Sequence, residues 1–469
     1  MADVHQEQQT TTKAILIASV AAIGGFLFGF DTAVINGAVD AITADFELGP
    51  TLTGFAVSCA LLGSAVGAWY AGPIADRFGR VRAMLVAAAM FAVSALGSGL
   101  AFGVWDLIFW RFVGGLGIGM ASVIAPAYIA EISPAHIRGR LGSLQQLAIV
   151  SGIFVALLSD AFLARVAGGA NAELWLGQDA WRWMFLVGLV PALIYGVLAL
   201  GVPESPRYLV AKGETRQATE VLRDVLGSVS LEAAQQKVKD ISASLRSEHQ
   251  PRLSDLRGLR LGLHPIVWVG ILLSVFQQFV GINVIFYYST SLWRSVGFSE
   301  NDSLTITVIT SVTNIVVTLV AIAIVDKVGR KPMLLVGSAG MAVMLTTMAV
   351  CFSQSVGSGD DITLPGSWGN VALVAANLYV VFFGATWGPV VWVLLGEMFP
   401  NRFRAIALSV AAAAQWLANF AITTTFPPLA EIGLSLAYGL YAAFAVVSFV
   451  FVAKAVRETK GLELESMTE

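Results

Sequence analysis

The sequence predicts an all-α membrane protein, with about twelve transmembrane helices in two pseudo-symmetric six-helix bundles and a short cytoplasmic helical linker domain between them. Three observations predict it. The chain of 469 residues is 57% hydrophobic and 13% charged, with a mean hydropathy of +0.76, which is more apolar surface than a water-soluble core can bury. Apolar runs of roughly 20 residues, enough to cross about 30 Å of hydrocarbon at 1.5 Å per residue, recur along the whole length. Charged signatures then repeat in the same order in the two halves.

In chain order the runs fall at about 14–36, 52–75, 82–103, 105–129, 141–164, 181–202, 265–293, 304–326, 331–353, 370–398, 405–425 and 432–456. None alternates with the period of two that a lipid-facing barrel strand requires, so they read as helices. Net charge is only -3, but the basic residues are placed unevenly. Arg77, Arg80 and Arg82, Arg138 and Arg140, Lys327, Arg330 and Lys331, and Arg402 and Arg404 follow spans two, four, eight and ten, while 37–51, 354–369 and 426–431 carry no Lys or Arg. Basic connections stay inside, so both termini are expected in the cytoplasm of a multi-pass cell-membrane protein, the inner membrane if bacterial. The polar leader Met1 to Lys13 runs into a span of full length rather than a short signal core, so the first helix is expected to remain as an anchor. Cys59 and Cys351 sit in apolar spans as small hydrophobes.

Between spans six and seven the composition turns charged and helix-forming, as in Glu214 to Arg223 and the amphipathic stretch Leu231 to Leu245. The expected domains are therefore an N-terminal bundle over 1–204, a linker over 205–264, and a C-terminal bundle with a short tail over 265–469. The halves match closely. Asp76-Arg-Phe-Gly-Arg80 is echoed by Asp326-Lys-Val-Gly-Arg330, Glu131 stands before Arg138 as Glu397 does before Arg404, and spans six and twelve end on Pro203 to Arg207 and Arg457 to Gly461. This is the pattern of an internal duplication.

Together with Gln277-Gln-Phe-Val-Gly-Ile-Asn283 and Gly388-Pro-Val-Val-Trp392, these motifs resemble the sugar porters of the major facilitator superfamily in both halves. The resemblance implies an alternating-access carrier of a neutral hexose or pentose such as glucose or xylose. The charged residues at the span ends then read as a cytoplasmic latch. It comprises Asp76, Arg80, Glu131, Arg138, Glu204 and Arg207 in one half and Asp326, Arg330, Glu397, Arg404 and Glu458 in the other. Topology alone needs the basic residues; acidic partners at equal spacing need another reason. One exposed pair contributes about 0–1 kcal/mol, but a network present in one conformer biases a two-state equilibrium by its sum.

Amides inside apolar spans point to an internal cavity. Gln146, Gln277, Gln278, Asn283, Asn314, Gln415 and Asn419 both donate and accept, which suits hydroxyl groups, and Trp392 and Trp416 offer flat faces to a sugar ring. No unpaired Arg or Lys stands among them, so an anionic substrate is not expected. By resemblance the seven amides and Trp392 contact the sugar, with Phe28, Ile149 and Ile153 as apolar walls. Gly384 stands where glucose facilitators of animals carry Glu. Gly281, Gly384 and Gly388-Pro389 are candidate bending points.

Asp31 and Arg111 lie at similar depth in the outer part of spans one and four. An ion pair between them would hold the carboxylate ionised, and breaking it would let the carboxyl take a proton. Proton-coupled sugar porters carry matching Asp and Arg residues, so the resemblance implies symport. Gly188, where similar xylose symporters carry Glu, keeps an uncoupled facilitator as the alternative; a sugar-binding membrane sensor is the remote one.

Other classes find little support. There is no phosphate-binding loop of the GxxxxGK[ST] form. The Gly114 to Gly119 cluster lies within an apolar helix and reads as helix packing. His5, His136, His249 and His264 are scattered, with no metal-ligand spacing. No enzyme activity, cofactor, metal or nucleic-acid partner is expected. The expected partners are a small neutral sugar, a proton and the bilayer, with the chain functional as a monomer.

Overall fold

A computed structural model of the chain describes residues 2–133, 138–226, 231–247, 253–258, 262–356, 363–400 and 403–460. Among the described residues twelve helical spans are long and apolar enough to cross a membrane: Lys13–Asp45, Pro50–Phe78, Arg80–Gly99, Val104–Ile132, Leu144–Ala167, Ala180–Ala199, Pro265–Arg294, Glu300–Val325, Arg330–Phe352, Trp368–Met398, Ile406–Ile432 and Leu434–Ala455. They are spans one to twelve in chain order. Val197, Val343 and Val374 are more than half exposed on these helices, as expected of side chains solvated by lipid rather than water.

Span one continues to Asp45, past the sequence boundary near 36. Asp40 interrupts the hydropathy there, yet Ala38, Val39, Ala41 and Ile42 remain buried, so packing sustains the helix where hydropathy stops signalling it. Spans two and three are separated by Gly79 alone, and the helices of spans eight and nine meet at Gly329; their φ values of 100° and 103° terminate one helix and start the next in a conformation that a Cβ disfavours. Span seven breaks at Gly281, where φ is 84°, and the freed carbonyl of Val280 accepts from the Tyr379 hydroxyl at 2.7 Å. Span ten runs as an α-helix to Phe382, passes through a π turn at Phe383–Trp387, and resumes over Gly388–Met398 with Pro389 in its first turn. Proline cannot donate to the preceding turn, which accounts for the local unwinding.

By their contacts the residues divide into two compact units. Unit 1 comprises Met1–Thr32, Gly63–Ile153 and Phe185–Gln250; unit 2 comprises Ala33–Leu62, Phe154–Met184 and Pro251–Glu469. In unit 1, spans two and four pack backbone to backbone: a Cβ added at Gly63, Gly67 or Gly119 would meet a main-chain oxygen at 2.3, 2.2 or 2.1 Å. The same close approach joins spans one and five, where a Cβ at Gly29 or Gly152 would lie 2.0 Å from a carbonyl oxygen. Small residues let helices approach in this way without a hydrophobic drive between them. The linker helices Pro206–Ala211, Thr215–Leu226 and Leu231–Ser247 enclose their own small core of Leu209, Val210, Ala218, Leu222, Ala234 and Val238.

Candidate functional site: twin end networks and buried amides

At the end of span two, Gly79 turns the chain so that Arg80 opens span three pointing at its neighbours. Its guanidinium grips Glu131 at the end of span four with two bonds of 3.0 Å. Another nitrogen donates to the Ala75 carbonyl at 3.0 Å and lies 3.0 Å from Asp76. Glu204, beyond span six, accepts from the backbone N–H groups of Arg80 at 2.9 Å, Val81 at 3.2 Å and Ser205 at 2.8 Å. The Ser205 hydroxyl donates to Glu131. A carboxylate capping a helix N-terminus and a two-bonded arginine are both charge-assisted arrangements.

Unit 2 holds a closely matching arrangement. Arg330 grips Glu397 with bonds of 3.1 and 2.7 Å and donates to the Val325 carbonyl at 3.2 Å. Glu458 accepts from the N–H groups of Arg330 at 3.0 Å, Lys331 at 2.9 Å and Thr459 at 3.0 Å, and the Thr459 hydroxyl donates to Glu397 at 2.5 Å. Burial raises the affinity of the Glu458 carboxyl for a proton, but the N–H bonds from Lys460, Arg330, Lys331 and Thr459 together outweigh it and hold the group below its ordinary range. The space for each carboxylate is the missing side chain of a glycine, since a Cβ at Gly79 would meet Glu204 at 2.3 Å and one at Gly329 would meet Glu458 at 2.9 Å. Arg404 stands apart from Glu397 and donates to the Phe399 carbonyl at 3.0 Å. Arg207 is half-buried. The side chains of Arg138 and Asp326 lie outside those described, as do His136 and His249.

The amides divide between the units. In unit 2, Gln277 is 2% exposed and Asn314 8%. Gln277 donates to the carbonyls of Trp387 at 2.9 Å and Gly388 at 3.2 Å, beside the π turn, and its own oxygen has no partner. The break in span seven brings Asn283 back to Gln278, to which it donates at 2.5 Å. Asn419 accepts from Thr423 at 3.2 Å, and the oxygen of Gln415 is buried without a partner. Asn314 faces the π turn, its oxygen 3.1 Å from where a Cβ on Gly384 would lie. Trp416 is half-buried and Trp392 more open, at 40% exposed. In unit 1, Phe28, Gln146 and Ile149 are half-buried, and so is Ile153. Gln145, which the sequence does not single out from its neighbour Gln146, is buried, lies against Gly25 and has an unpartnered oxygen.

Asp31 and Arg111 do come together, but not as the expected ion pair. The Arg111 guanidinium donates at 3.4 Å to the backbone carbonyl of Asp31 and lies 5.7 Å from the centre of the Phe185 ring. One oxygen of the Asp31 carboxyl is buried with no partner. The depth of the two residues in their helices predicts proximity; it does not fix which oxygen the arginine takes.

A third set of contacts had no sequence expectation. Within unit 2, spans one and two are fastened to spans seven and eleven. Asn36 donates to the Phe286 carbonyl at 2.9 Å and accepts from the Thr290 hydroxyl at 2.5 Å. Asp40 takes Ser291 at 2.5 Å and Arg294 at 2.7 Å, and Ser58 meets Thr424 at 2.6 Å. An amide and a carboxylate one helical turn apart on an apolar span were the only local signal.

The chain is similar to known transporters over nearly its whole length. The family profile described as Sugar (and other) transporter matches residues 17–469. A glucose transport protein of Synechocystis sp. is 60% identical over 97% of this chain and 96% of its own length. The D-xylose-proton symporter of Escherichia coli is 38% identical over 98% of this chain and 96% of its own. The partially occluded inward-open structure of the E. coli xylose transporter superposes with a TM-score of 0.82 at 37% identity, covering 96% of this chain and all of that one. With profile, sequence and fold agreeing over nearly the whole length, the chain belongs to the sugar porter family of the major facilitator superfamily.

Proposed function

We propose that this chain carries a neutral monosaccharide, a hexose or pentose, across the cell membrane by alternating access and in company with a proton. The observation that carries the reading is the set of buried amides of spans seven, eight and eleven, in which Gln277 and Gln415 each keep a carbonyl oxygen without a protein partner. An unpaired acceptor in a span is unfavourable, and a sugar hydroxyl supplies the donor it lacks. Gln278, Asn283, Asn314 and Asn419 add polar contacts, and Trp392 and Trp416 add flat faces. The names of the relatives, for glucose and for D-xylose with a proton, support the same class of substrate.

Asp31 serves as the proton carrier. In this conformer Arg111 donates to the backbone carbonyl of Asp31 and forms no ion pair with its carboxyl. When Arg111 swings to the carboxylate, the proton leaves. The ends bearing Arg80 and Arg330 face the cytoplasm with both termini, following the placement of basic residues. Each network then ties four spans of its half together, so that the inherited halves, 1–204 and 265–469, move as bodies and one chain suffices. Counterflow in proteoliposomes tests the reading: labelled glucose or xylose should enter vesicles preloaded with unlabelled sugar, and Gln415→Ala should weaken the apparent affinity about tenfold, the equivalent of one hydrogen bond. Absence of counterflow with every aldose tried would refute it.

A further inference from the structure

Spans five and six are joined by a β-hairpin. Its strands Glu173–Trp175 and Gln178–Asp179 pair antiparallel, with Glu173 opposite Asp179 and Trp175 opposite Gln178, so Leu176 and Gly177 alone make the turn. Both have positive φ, 56° and 69°. A two-residue turn of this kind ordinarily carries Asn or Asp before Gly, because the leucine Cβ disfavours the left-handed conformation. Leu176 is nevertheless 87% exposed, and Trp175 beside it 48%. Backbone conformation and water both work against an apolar side chain at this tip.

The base of the hairpin fixes where the tip lies. Ala170 donates its N–H to Glu300 at 2.8 Å and accepts from the Trp181 N–H at 3.0 Å. Trp181, in the first turn of span six, is buried with its ring edge-on to Phe46, and Arg182 pairs with Asp45 at 3.3 Å. Trp183 stands two residues further, about 200° round the helix from Trp181, and so faces away from Phe46. Its indole N–H donates to the Trp175 carbonyl at 3.1 Å, and the two rings pack edge to face with centres 5.3 Å apart. The tip is thereby held level with the first turn of span six, on the side turned away from span one. Towards the same end span five exposes Leu158, Phe162 and Val166, one helical turn apart, an apolar stripe of the kind a span turns to lipid.

We propose that the Trp175-Leu176 tip is a membrane-interface anchor, dipping among the headgroups of the leaflet at that end with zwitterionic phospholipid as its partner. The boundary between headgroups and acyl chains is where tryptophan rings collect and where a leucine leaves water. That gain offsets the unfavourable backbone of Leu176. The tip goes no deeper, because the open edges of a two-stranded hairpin carry backbone groups that hydrocarbon cannot satisfy. Glu173 and Asp179, paired at the base, suit a zwitterionic surface better than an anionic one.

The test adds no sugar, so its outcome is independent of the transport reading. Leu176→Cys, in a Cys59→Ala, Cys351→Ala background, carries a nitroxide label on the full chain in vesicles of phosphatidylcholine and phosphatidylethanolamine. Power-saturation EPR compares its collisions with oxygen, which concentrates in lipid, and with a water-soluble nickel chelate present on both sides. The expected result is a label at 176 that meets oxygen more often than nickel, and a label at Glu173→Cys that shows the reverse order. Trp175→Cys takes the place of Leu176→Cys if the latter does not insert, with the same expectation. A tip label that favours nickel stands in water and overturns the proposal. So does one that meets neither reagent, the mark of a protein cover. Dipolar broadening that vanishes on dilution with unlabelled chain would place a second copy at the tip, and overturns it as well.

Discussion

The Arg80 and Arg330 networks are two copies of one device set in different surroundings. Both have a glycine at positive φ, an arginine opening a helix, a glutamate gripped by it and a second glutamate capping that helix. The chain beyond each copy differs. Ser205 leads into linker helices with a core of their own, whereas the described residues stop at Lys460, just after Thr459. Among the described side chains, only the first copy has an exposed aspartate, Asp76, joined to its arginine. That the bonds agree to within a few tenths of an ångström despite these surroundings shows that the device depends on its own half and not on what is attached to it.

Breaking the grip should have the largest effect. Glu131→Gln and Glu397→Gln each leave a mostly buried guanidinium without its carboxylate, and thermal unfolding in detergent should report a loss of about 2–4 kcal/mol, somewhat less than for a fully buried pair. If the copies are equivalent, the two losses agree to within about 1 kcal/mol. A smaller effect comes from the turn. Gly79→Ala and Gly329→Ala force a Cβ into positive φ and against a carboxylate, and should cost about 1–3 kcal/mol, more at Gly79, where the contact is 2.3 Å against 2.9 Å. Equal losses, or a larger one at Gly329, would break the account of why glycine stands there.

Acid should act on the second copy through Glu458. Because its carboxyl is held below the ordinary range, its contribution is fully present above the unfolded glutamate value of about 4.3 and is lost as pH falls through the lowered value. Stability measured from pH 7 down to about 3 should therefore decline only at the acid end, and Glu458→Gln should remove that part of the decline. The smallest effect belongs to Asp76→Asn. The carboxylate is 73% exposed, so stability should change by no more than about 0.5 kcal/mol, the ordinary worth of a surface pair. A larger change would make the asymmetry between the copies functional.

The number of spans and the pairing of motifs were legible because hydrophobic length and local charge spacing are properties of short stretches. Gly79 and Gly329 lie inside the repeated motif, but their positive φ and their place as the one residue between two helices come from the structure. The fastening of spans one and two to spans seven and eleven was not legible: Asn36 and Thr290 are 254 residues apart, and nothing local ties them. Asp31 and Arg111 show the intermediate case, where helical rise gives depth and side-chain torsions decide the partner. Spacing grouped Arg404 with Glu397, but the break of the helix after Met398 leaves Glu397 facing Arg330 instead.

The central claim is coupled sugar transport with Asp31 as the proton carrier. It is tested most directly by adding glucose or xylose to the outside of weakly buffered proteoliposomes with no imposed gradient and recording external pH. The account expects sugar-dependent alkalinisation with the native chain and none with Asp31→Asn, although that variant still exchanges labelled sugar. Sugar entry without alkalinisation in the native chain, or alkalinisation that survives Asp31→Asn, would contradict it.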